Sequence, residues 1–108
     1  MSDKFKHIFG NLQEKAAGFD ASGCRDFLAV QVTFKDLGEA FYAEIKDGKL
    51  TLEPHGRSSR QANLVMSADN FERLMSRKLN PVIAFTTGKI KVEGDVGKAL
   101  QLSKLFAK

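Results

Sequence analysis

Apolar residues at Phe5, Ile8, Phe9, Leu12 and Ala16 recur at spacings of three and four, so Met1 to Ala17 predicts an amphipathic helix. Ser2 or Asp3 is available as its N-cap and Gly18 as its stop. Residues 20–26 are polar and glycine-bearing, a connection. The period then changes to two. Phe27 to Phe34 alternates, with Leu28, Val30, Val32 and Phe34 on one face, and Asp36-Leu37-Gly38 turns the chain. Glu39 to Lys46 sets Phe41, Ala43 and Ile45 against Ala40, Tyr42 and Glu44; Asp47-Gly48 supplies a tight hairpin turn, and Lys49 to Glu53 returns with Leu50 and Leu52 inward. Pro54 to Gln61 has no periodicity and reads as a mobile surface crossover. Ala62 to Met66 is a fourth strand, and Ser67 caps a helix from Ala68 to Arg77 with Phe71, Leu74 and Met75 on its buried side.

Pro81 to Phe85 predicts a short helix with proline at its first position, ended by Gly88. Lys89 to Glu93 alternates as a fifth strand with Ile90 and Val92 on one face. Gly94 breaks it, Asp95 caps, and Val96 to Phe106 is the last helix. The order describes an α+β domain: helices on one face of a mainly antiparallel five-stranded sheet, one core over all 108 residues.

On that last helix Val96, Ala99, Leu100, Leu102, Leu105 and Phe106 spread over more than half the circumference, wider than one sheet requires. Such a surplus is met by a groove, by a homodimer interface or by the wall of an apolar cavity. Leu102 lies at the margin of the arc and is expected to face a cavity rather than the sheet.

The cysteine content is one residue, Cys24, which rules out an internal disulfide and suits a reducing compartment. No apolar run approaches the ~20 residues of a bilayer span, so a soluble cytoplasmic protein is expected. The net charge of +4 is uneven, with seven Lys/Arg against nine Asp/Glu up to residue 53 and ten against four beyond it. Basic asymmetry of this kind suits an anionic partner. Arg57, Arg60, Arg73, Arg77, Lys78, Lys89 and Lys91 would serve a nucleic-acid-binding module, but no nucleic-acid motif accompanies them.

Catalysis needs a nucleophile beside a base, paired carboxylates or a metal-ligand cluster. His7 and His55 are isolated, Cys24 has no histidine near it in sequence, and Gly94 and Gly97 flank an acidic Asp95 that would repel phosphate. The expectation is a non-enzymatic binding protein with no catalytic residue, metal or cofactor.

The segment AFTTGKIKVEGDVGKALQLSKLF resembles the C-terminal signature of the sterol carrier protein type 2 domain family, A-F-x-x-G-K-[LI]-K-[IV]-x-G-[DN]-x-x-x-A-x-x-L. Ala84, Phe85, Gly88, Lys89, Ile90, Lys91, Val92, Gly94, Asp95, Ala99 and Leu102 fit it. FYAEIKDGKLTL, ANLVMSADNFERLM and KLNPVIAF are similar to earlier parts of the family, from about Phe41 onward. The chain departs from the family where Asn63 replaces a common Asp, where Arg77 replaces a common Gly, and where Thr87 replaces a common Gln.

The resemblance implies the same element order, a hydrophobic tunnel, and binding or transfer of sterols, fatty acids, fatty acyl-CoAs or phospholipids. Together with the apolar surplus it points to Met66, Phe71, Leu74, Met75, Leu79, Val82, Ile83, Phe85, Ile90, Leu102, Leu105 and Phe106 as tunnel lining, and to Thr87 at a polar head group. Arg57, Arg60, Lys98 and Lys104 are expected to touch an anionic membrane transiently. A monomer or weak homodimer is expected, and nucleic acid is not.

Overall fold

The computed structural model describes residues 2–18 and 27–106. The expected connection at residues 20–26, with Cys24, lies outside the described residues. Helix α1 (Asp3–Ala17) begins at Ser2, whose hydroxyl accepts the Phe5 N–H at 3.2 Å. It is followed by strands β1 (Leu28–Phe34), β2 (Glu39–Lys46), β3 (Lys49–Glu53) and β4 (Ala62–Met66), helices α2 (Ala68–Met75) and α3 (Pro81–Thr86), strand β5 (Lys91–Gly94) and helix α4 (Val96–Phe106).

The sheet order is β3-β2-β1-β4-β5. Three pairings are antiparallel and β1 with β4 is parallel. Val32 lies opposite both Phe41 and Leu64, so the alternation of the three central strands coincides on one face. Val30, Val32, Phe34, Phe41, Ala43, Ile45, Leu64 and Met66 are all buried there, beneath the helices. Six phenylalanines join the two layers. The ring of Phe71 meets Phe34, Phe41 and Phe106 edge-on at 5.3, 5.4 and 5.7 Å, and Phe5 and Phe9 reach down from α1 to Phe34 and Phe41 at 6.0 Å.

The other face carries a polar ladder. Gln31 donates to the Thr33 hydroxyl at 2.9 Å, Thr33 donates to Asn63 Oδ1 at 2.8 Å, and Asn63 Nδ2 donates to Glu93 at 2.9 Å. Residues 54–61 cross this face closely. Gly56 sits against the Gln31 side-chain amide, which a Cβ would have to displace, the Arg57 guanidinium lies over the Tyr42 ring at 5.0 Å, and Gln61 exchanges hydrogen bonds with the Ala29 backbone at 2.7 and 3.0 Å. The crossover is therefore a strap, and it buries Tyr42 and Ala29 on the face that alternation assigns to solvent. Gly94 ends β5 at φ 91°, where a Cβ would stand 2.6 Å from the Gln61 carbonyl, so any side chain there would part the strand from the strap.

Two of the boundaries that differ from the sequence expectation do so for one reason. Helix α2 stops at Met75, not Arg77, because Arg77 takes a left-handed conformation (φ 66°). Lys89 and Ile90 both donate to the Ala84 carbonyl, at 2.8 and 3.1 Å, and so close α3 before β5 can begin. Each segment trades two residues of regular structure for hydrogen bonds that satisfy a helix end.

Candidate functional site

Helix α4 starts at Asp95, whose carboxylate accepts the Lys98 N–H at 3.1 Å, and runs over β4 and β1 towards β3. Apart from Val96, which stays exposed, its broad apolar arc is covered from two directions, by the sheet below and by α2 and α3 beside it. Ala99, Leu102 and Phe106 belong to the buried core, with Leu105 packed against it. Leu102 is 0% exposed, so it fills space at the interface of these elements instead of facing an open cavity. The extra width of the arc reflects the second cover.

Among the twelve apolar residues singled out from the sequence, Met66, Phe71, Leu74, Leu79, Ile90, Leu102 and Phe106 lie in one continuous core cluster, and Met75 and Leu105 pack on its margin. Phe85 is half-buried on α3. Val82 and Ile83 depart from the expected lining. The six-residue α3 turns Pro81 and Ala84 inward, which leaves Val82 and Ile83 outside at 43% and 58% exposure. The Thr87 hydroxyl donates to Ile83 O at 2.8 Å, with Ala84 O at 3.4 Å, and its proton is thereby committed to the end of α3.

The apolar layer reaches the surface between α1, β3 and α4, where Leu12, Ala16, Leu50, Leu105, Phe106 and the stem of Lys15 surround a gap of about 10 Å³. Lys15 Nζ closes that gap by donating to Met75 O at 2.9 Å and Phe106 O at 2.6 Å, the carboxyl ends of α2 and α4. Burial lowers the Lys15 pKa from its ordinary value, and the nearby Arg77 cation lowers it further. Sequence reasoning missed Lys15. The signal was present, because position 15 falls on the stripe of Leu12 and Ile8 and puts a lysine inside an otherwise apolar face.

The four residues expected at an anionic membrane do not present four free charges. Arg57 pairs with Glu53 and lies over Tyr42, and Arg60 donates to the Arg57 carbonyl at 2.9 Å. Lys98 Nζ stands 3.5 Å from Phe27 O, whereas Lys104 is exposed. The strap holds both arginines on the polar face of the sheet, while α4 lies on the other. Among the described residues no three His, Cys, Asp or Glu side chains converge where a metal could sit, and no helix is long and apolar enough to cross a membrane.

A five-stranded sheet covered on one face by helices over a largely apolar layer defines an α+β class of domain. A model of the SCP-2 sterol transfer family matches residues 5–107, and the chain belongs to that family. It is 43% identical over 54 residues to mouse hydroxysteroid dehydrogenase-like protein 2, a match covering 48% of this chain and 11% of the mouse protein. Human sterol carrier protein 2 is 34% identical over 62 residues, covering 57% of this chain and 11% of that one. The chain thus spans about a tenth of the length of these relatives. The solution structure of palmitated SCP2L2 from Aedes aegypti superposes with a TM-score of 0.66 at 18% identity, covering 100% of this chain and 96% of that one, a likeness of fold.

Proposed function

We propose that this protein is a non-enzymatic carrier that holds one lipid between α4 and the inner face of the sheet and transfers it between membranes from the cytoplasm. The observation that carries this reading is the layer beneath α4, where the aromatic cluster meets the surface at a gap guarded by one ammonium. Cargo enters by displacing α4. A gap of about 10 Å³ admits roughly one water-sized group and no acyl chain, so binding and helix movement are one event. Met66, Phe71, Leu74, Met75, Leu79, Phe85, Ile90, Leu105 and Phe106 then contact the chain of the lipid, while Leu102 stays in the core behind them. Lys15, released from the Phe106 carbonyl, pairs with a carboxylate or phosphate head group in place of Thr87.

The magnitudes suffice. Burying about 15 methylenes at ~0.8 kcal/mol each contributes on the order of 12 kcal/mol. Association and ordering cost roughly 4 to 15 kcal/mol, which leaves room for micromolar binding once part of that cost falls on α4. The palmitated form of the mosquito neighbour and the name of human sterol carrier protein 2 support acyl and sterol cargo respectively. Titration with a fluorescent long-chain fatty acid tests the reading. A saturable signal at one ligand per chain is expected, and the absence of saturation for fatty acid, acyl-CoA and sterol probes alike would sink it.

A further inference from the structure

Helices α2 and α3 end in the same motif. At α2 the Lys78 N–H returns to Arg73 O at 2.8 Å and the Arg77 N–H to Leu74 O at 3.2 Å. At α3 the Lys89 N–H returns to Ala84 O at 2.8 Å and the Gly88 N–H to Phe85 O at 3.3 Å. This closure needs one left-handed residue, which is Gly88 (φ 81°) in α3 and Arg77 (φ 66°) in α2. Glycine adopts that conformation freely, whereas arginine bears a steric cost, and the position gains a cation by it.

The two motifs deliver Arg77, Lys78 and Lys89 to one cleft of about 590 Å³, with Leu79 in its floor and Ile83 on its wall. All three cations are exposed, and none makes an ion pair or side-chain hydrogen bond among the described residues, whose ion pairs lie at Lys4, His55 and Arg57. Val82 and Ile83 are two of only four large apolar side chains exposed among those residues. Aliphatic side chains ringed by unpaired cations match a bilayer, whose anionic head groups overlie hydrocarbon. Nucleic acid would leave Val82 and Ile83 with nothing to enter, and no aromatic ring is among the residues of the cleft.

The geometry points to the α3 face, with Val82 and Ile83 inserted and Arg77, Lys78 and Lys89 on the head groups, as the surface that docks this protein on an anionic membrane. Helix α3 packs against α4, so the docked surface adjoins the element that cargo must displace. The inference extends the carrier reading, but its test uses no cargo: vesicle binding can fail while fatty-acid binding stands, and the reverse.

The experiment is co-sedimentation with phosphatidylcholine vesicles, with and without phosphatidylserine, across a salt series. Binding is expected only with phosphatidylserine and should fall with salt. Combined Arg77→Gln, Lys78→Gln and Lys89→Gln should weaken it about a hundredfold, at roughly fivefold per cation. The charge-matched set Lys35→Gln, Lys46→Gln and Lys49→Gln, exposed elsewhere, should change it by less than about fivefold. Ile83→Gln should cost about tenfold at constant charge. Arg77→Gly guards against misfolding, because it should raise the denaturation midpoint while it weakens binding. Equal losses in the two charge sets, no effect of Ile83→Gln, or retardation of a DNA duplex in place of vesicle binding would overturn the proposal.

Discussion

The Lys15 ammonium donates to the Phe106 carbonyl at 2.6 Å, so a residue on the first helix fastens the end of the last. It is a charge-assisted bond to a carbonyl that would otherwise be an orphan, and the Met75 carbonyl shares the same donor at 2.9 Å. Three helices therefore meet at one nitrogen.

Lys15→Met keeps the apolar stem and removes the donor. It is expected to cost about 1–2 kcal/mol and to accelerate amide exchange in α4 more than in β1. Affinity for a fatty acid should fall while affinity for an uncharged sterol holds or improves, because the sterol never needed the ammonium. Unchanged exchange in α4 would mean that Lys15 fastens nothing, and equal losses for both ligands would remove it as a head-group partner.

Leu102 and Leu105 separate the core of this site from its mouth. Leu102 is fully buried, so Leu102→Ala should cost roughly 2–5 kcal/mol, with lipid binding lost only as folding is lost. Leu105 stands half-buried at the gap, and Leu105→Asp should weaken acyl binding at least tenfold for about 1 kcal/mol of stability. Denaturation and ligand titration of both variants give the comparison. A reversed order would place the cargo on the Leu102 side.

Glu39 supplies the pH dependence. Its carboxylate accepts the Ser2 hydroxyl, which lowers its pKa below the usual carboxylate range; burial opposes this, and the Ser2 amide adds to it. A lowered folded-state pKa gives stability that is present above the ordinary carboxylate range and lost as the pH falls through the folded value. Acid should therefore loosen the start of α1 from β2. Glu39→Gln should unfold at lower denaturant than the parent at neutral pH and converge with it in acid. Parallel pH profiles for the two proteins would refute the link.

The amino-acid pattern by itself determined the element order, the inner face of every strand and the α+β class. These depend on local periods of 3.6 and two residues and on caps such as Ser2 and Ser67, which act within one turn. The family signature was legible for the same reason, since it occupies contiguous residues from Ala84 to Leu102. Tertiary structure decided what a helical wheel cannot contain. Whether Leu102 meets a cavity or a second helix depends on where α2 and α3 lie, and that α3 exposes Ile83 depends on which side α4 and the core approach. Arg57 looked free because its partners, Glu53 and the Tyr42 ring, meet it only when the strap crosses the outer face of the sheet. Lys15 and Phe106 stand 91 positions apart, and the parallel pairing of β1 with β4, which have two strands between them in the chain, is likewise invisible to local periodicity. Sequence patterns report which side of an element avoids water; only the packed chain assigns the neighbour that covers it.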